Sequence, residues 1–117
     1  MPPSQKARDL KKVLDLLDDA IALVRKALVG NPGDAERRAL EQLLLRLGSE
    51  RGVQQAEFDA ELAGETGVQG PKPAQVAKVS ALSDEVAQAT QGAILASEAI
   101  ALGGKVFELA TSIITHA

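Results

Sequence analysis

The stretch PAQVAKVSALSDEVAQATQGAILASEAIALGGKVFELATSIITH, from Pro73 to His116, decides the fold class. With Val79 placed at heptad position a, that position reads Val79, Val86, Ala93, Ile100, Phe107 and Ile114. Position d then reads Leu82, Ala89, Ala96, Gly103 and Ala110. Positions c and g add Leu95, Leu102, Leu109, Ala99, Val106 and Ile113, while Asp84, Gln91, Glu98, Lys105 and Ser112 form a polar line at f. Because c, g, d and a are neighbours on a helical wheel, the apolar arc is about 160° wide, more than the narrow seam of a two-stranded coiled coil. A helix with so broad an arc needs two neighbours. The period passes through Gln91-Gly92 and Gly103-Gly104 without a phase shift. That predicts one continuous helix over about 74–115, about 63 Å long at 1.5 Å per residue.

Small residues mark one line of this helix. From Ala74 onward, 21 of 44 residues are Ala, Gly, Ser or Thr. Small side chains at d let a facing backbone approach closely, while large ones at a fill the space between layers. Residues 71–117 carry seven charges against 22 in residues 1–70, which places the C-terminal half in an interior, within one subunit or between several.

Working back from this stretch, Ser4 reads as the N-cap of a first helix over about 4–29. Leu14, Ile21 and Leu28 fall at a, and Leu10, Leu17 and Val24 at d. Val13, Leu16, Ala20, Leu23 and Ala27 widen the arc as in the C-terminal helix. Gly30-Asn31-Pro32-Gly33 ends that helix in a tight turn, with Asp34 expected as the next N-cap. So short a connection predicts an antiparallel helix hairpin. The second helix, about 34–63, carries Leu40, Leu43, Leu44 and Leu47 inward. Each helical Gly costs about 1 kcal/mol against Ala, so Gly48 and Gly52 predict a kink at 48–52. The stretch 64–73, with three glycines and two prolines, is the linker. The fold class that follows is all-α: one up-and-down bundle domain over 1–117, a helix hairpin packed on a long C-terminal helix with coiled-coil-like heptads.

Composition narrows the function classes. The 117 residues include 13 Lys or Arg and 16 Asp or Glu, a net charge of −3, and only two aromatics, Phe58 and Phe107. A nucleic-acid binder needs a basic surface, and a single-strand binder needs stacking aromatics; this chain has neither. There is no cysteine, so disulfides and thiolate metal sites are excluded. The sole histidine, His116, stands next to the last residue, where a frayed terminus cannot hold a general base in place. No Walker A, HExxH or dinucleotide-binding glycine motif occurs. The N-terminus has no apolar signal core, and Glu98, Lys105 and Glu108 interrupt the longest apolar tract, so no membrane span and a cytoplasmic location are expected. The Ala-, Gly- and Arg-rich composition has a bacterial character.

Three function classes remain. The first is a non-enzymatic, self-associating structural or adaptor protein, without cofactor, that forms a homo-oligomer or binds another helical protein. Its expected interface is the small-residue line with its aromatic, Gly92, Ala96, Ala99, Gly103 and Phe107, because a helix longer than its partners leaves apolar surface uncovered. The second is an all-helical enzyme holding a divalent metal through Glu57, Glu61 and one of Asp15, Asp18 or Asp19, since hard cations take carboxylate ligands. Against it, the helix 1 aspartates fall at b, e and f, beside Lys11, Lys12 and Arg25, as a solvated charged face does. The third is a small acidic inhibitor or immunity-type protein that covers a basic partner.

Overall fold

Ser4 caps the first helix, as its position predicts: its Oγ accepts the Ala7 N–H at 3.0 Å. The computed structural model describes residues 3–114, and His116 lies outside them. Four helices account for most of that range: α1 (Gln5–Val29), α2 (Asp34–Leu62), α3 (Pro73–Gln91) and α4 (Ala96–Ile114). Among the described residues no strand occurs.

Helix α1 is the centre of the bundle. Its Leu10, Leu14, Leu17 and Val24 are buried, and so are the flanking Val13, Leu16, Ala20 and Leu23. The arc is wide because α1 packs against all three other helices. Each fully buried Leu or Val contributes about 1.5–3 kcal/mol, so α1 supplies a large share of the driving force for folding. Its last turn closes at Gly30, whose N–H reaches the carbonyls of Lys26 and Ala27, and Asn31 turns the chain in the left-handed region at φ 61°.

The start of α2 differs from expectation by one residue. Gly33, not Asp34, is the N-cap, and Asp34 opens the helix without a side-chain cap bond. From there its carboxylate, with Glu36, still faces the positive end of the helix dipole. Helix α2 runs unbroken through Gly48 and Gly52, where a kink was expected. Leu40, Leu43 and Leu47 are buried as predicted, and the inward line continues through Glu50 and Gln54 rather than through apolar residues.

The linker turns at Gly64 (φ 79°) and Gly67 (φ 77°), conformations that glycine adopts without strain. Val68 is buried, its carbonyl accepts from Lys6 Nζ at 3.1 Å, and the Gln69 N–H donates to Glu57 Oε2 at 3.0 Å. Pro73 then occupies the first turn of α3, where its missing N–H costs nothing, and the Lys72 N–H donates to Gln75 Oε1 at 2.8 Å.

The expected continuous C-terminal helix is two helices. Gly92 is extended (φ −113°, ψ −163°), and the chain reverses over 92–95 before α4 begins. A straight helix of about 63 Å would overrun a bundle whose long dimension is 47 Å, leaving about a quarter of its length in water. Reversal at the exposed Gly92 returns that part to the bundle. Gln75 Nε2 donates to Ser112 Oγ at 3.2 Å, so the start of α3 lies beside the end of α4. At the other end Lys26 Nζ donates to the Thr90 carbonyl at 2.9 Å, joining the top of α1 to the end of α3. The result is an up-down-up-down four-helix bundle in which, among the described residues, α2 and α3 do not touch. Gly103 marks a close approach of α4 to α1 and α2: a Cβ there would stand 2.5 Å from Leu43 Cδ2 and 3.4 Å from Val24 Cγ2. No described helix is long and apolar enough to cross a membrane.

Candidate functional site

Of the carboxylates that could carry chemistry, Glu57, Glu61, Asp15 and Asp18 each have a structural partner. Glu61 Oε2 accepts from Ser4 Oγ at 2.7 Å, tying the end of α2 to the cap of α1, and Glu57 anchors the linker through Gln69. Asp18 takes the Arg51 guanidinium at 2.5 Å, which raises the pKa of Arg51 and joins α1 to α2. Asp15 pairs with Lys11 at 2.9 Å. Burial raises the pKa of Asp19, and the charges of Asp15 and Asp18 add to it. Among the described residues, no three His, Cys, Asp or Glu side chains are grouped to hold a metal ion. Glu57, Glu61, Asp15 and Asp18 are thus distributed over separate contacts rather than brought together.

One buried polar pair was not foreseen. Gln54 is fully buried between α2 and α4; its Nε2 donates to the Ala110 carbonyl at 2.9 Å and to Glu50 Oε2 at 3.1 Å. Burial raises the pKa of Glu50, and the bond from Gln54 partly offsets the shift. Gln54 Oε1 has no partner within the protein. Apolar periodicity could not reveal this pair, because both residues read as polar. The geometry fixes the register of α2 along α4 and supplies no acid–base couple with a substrate cavity.

The residues expected at an intersubunit face are dispersed. Ala99 is buried in the core that all four helices share, and Gly103 is filled from within by Leu43 and Val24. Ala96 and Phe107 are half-buried, each packed against the same core, and Gly92 is exposed in the α3–α4 turn. The hairpin of α3 and α4 covers the arc that a longer helix would have left open. Between these two helices an open cleft of about 470 Å³ is lined by Lys78, Leu82, Glu85, Lys105, Glu108 and Leu109. Its rim mixes both signs of charge, and the one hydroxyl on it, Ser112, donates to the Leu109 carbonyl and accepts from Gln75 rather than pairing with a base.

The outer face of α2 is different. Arg38, Glu41, Leu45, Gly48, Ser49, Gly52, Ala56 and Asp59 project on the side opposite Leu43 and Leu47, and all are exposed. Between Glu41 and Asp59 that face carries no charge over four turns. Leu45, one turn on from Glu41, is 75 % exposed. Nothing lies within 4 Å of where a Cβ would stand on Gly48 or Gly52. Within this chain neither glycine is required by a close approach or a positive φ, yet each weakens the helix by about 1 kcal/mol relative to Ala. Val29, Val53, Leu62 and Leu95 are also exposed, at positions off this strip. Comparison of the chain with family models, curated proteins and solved structures gives no match.

Proposed function

We propose that this chain is a non-enzymatic, self-associating structural or adaptor protein that acts through helix–helix contacts and needs no cofactor. One observation carries the reading: the uncharged outer face of α2, from which Leu45 stands into solvent. A helix face turned only to water is normally charged; here Leu45 belongs to an uncharged strip with Gly48, Ser49, Gly52 and Ala56, which sets it apart from a hydrophobe scattered singly on the surface. The dispersal of the carboxylates over structural contacts supports the same reading over metal-dependent catalysis. Sedimentation equilibrium at graded loading concentrations tests it. A reversible monomer–oligomer equilibrium is the expected result, and an ideal monomer at every concentration would refute it.

A further inference from the structure

We infer that the outer face of α2 receives a second copy of this chain, with the two α2 helices antiparallel about a two-fold axis passing between Gly48 and Ser49. The inference rests on the self-association proposed above and assigns its surface and geometry. Such an axis pairs each residue with the one whose number completes a sum of 97. At 100° per residue, Leu45 and Gly52 lie within about 10° of the direction of the axis, and Arg38 and Asp59 within about 30°. Leu45 of one copy therefore settles on the bare backbone at Gly52 of the other, where nothing within the chain stands within 4 Å of a Cβ position. About 16 Å out along the helix on either side, Arg38 meets Asp59 of the second copy, with Glu41 about 11 Å out on the same face, so each end of the contact gathers two carboxylates around one Arg38. Neither Arg38 nor Asp59 forms a salt bridge within its own chain among the described residues. A parallel arrangement would instead stack Arg38 on Arg38, Asp59 on Asp59 and Leu45 on Leu45, leaving glycine over glycine. Charge complementarity and the fit of large on small both select the antiparallel, isologous pair. A single helix pair is a small interface, so the dimer is reversible.

The test uses the full chain, which has no cysteine of its own. Leu45→Cys and Gly52→Cys variants are oxidised separately and as an equal mixture, and the products are identified by mass. The mixed disulfide is expected to dominate, with little of either homodimer. Homodimeric disulfides in the separate samples would overturn the antiparallel geometry while leaving self-association standing. No disulfide at all, with a wild-type dimer still present in sedimentation, would overturn the choice of face. A wild-type chain that is monomeric throughout would overturn both the face and the reading beneath it. As a second measurement, Arg38→Asp should weaken the dimer roughly five- to tenfold, as expected for losing and reversing two exposed pairs. Arg38→Asp with Asp59→Arg should restore it; failure of that rescue would overturn the assigned pairing.

Discussion

Two adjacent glycines of α4 provide a comparison in which one energy term cancels. Replacing either Gly103 or Gly104 with Ala removes the same helix-propensity penalty, about 0.5–1 kcal/mol. At Gly104 the new methyl meets nothing within 4 Å, so that variant should be more stable than wild type by about this amount. At Gly103 the methyl would stand 2.5 Å from Leu43 Cδ2 and 3.3 Å from its Cγ, with Val24 Cγ2 at 3.4 Å. Leu43 can turn only by moving within a core that Leu47, Val24 and Val106 also fill. Overpacking of this kind costs about 1–3 kcal/mol. Gly103→Ala should therefore be less stable than Gly104→Ala by about 1–3 kcal/mol. Urea unfolding followed by far-ultraviolet circular dichroism measures the difference; with no Trp or Tyr in the chain, intrinsic fluorescence offers no comparable signal. All samples need one protein concentration, because self-association would raise apparent stability by mass action. If the two variants agree within about 0.5 kcal/mol, below the overpacking range, then α4 does not approach Leu43 and Val24 as described.

Further predictions follow from the α2–α4 seam and the α3–α4 hairpin. Burial holds the Glu50 pKa above its ordinary 4.5, so this group favours the fold fully at pH below the unfolded value, and that contribution is lost as pH rises through the folded value. Glu50→Gln should raise stability at neutral pH, by about 1 kcal/mol, and flatten the decline with rising pH; Asp19, also raised, keeps part of it. A variant with unchanged pH dependence would show that Glu50 is not desolvated. Spin labels at Gln75 and Ser112 should report a short distance, near the ~10 Å separation of packed helices plus the label arms. An unbroken helix would hold these positions, 37 residues apart, about 55 Å from each other.

How much of this was legible depends on whether the signal was local. The cap at Ser4, the buried positions of α1, the turn after Gly30 and the linker beginning at Gly64 could all be read from residue type and spacing. The reversal at Gly92 could not. The heptad phase is the same on both sides of it, and a wide apolar arc suits a long helix with two neighbours as well as two short helices packed on α1. What selects the reversal is the length of the bundle, a property of α1 and α2 rather than of residues 73–116. Part of the small-residue line reflects internal packing: Gly103 is small where Leu43 and Val24 occupy its space and Ala99 is in the core, while Ala96 is half-buried and Gly92 exposed. Glu50 and Gln54 were hidden because a buried polar residue looks like a surface one until its partners are placed. The outer face of α2 did leave a trace. Leu45 and Gly52 lie off the Leu40, Leu43 and Leu47 stripe, and a helical wheel of α2 alone would have set them together, opposite the core.

The most direct test of association through α2 is absolute mass by light scattering of wild type, Leu45→Glu and Gly52→Leu, side by side at one concentration. Both substitutions fall on residues exposed to solvent in a single chain, so neither should disturb the bundle. At a concentration well above the dimer's dissociation constant, wild type should scatter as a species of twice the 12.2 kDa chain mass, and both variants as single chains. Three equal masses would contradict the account.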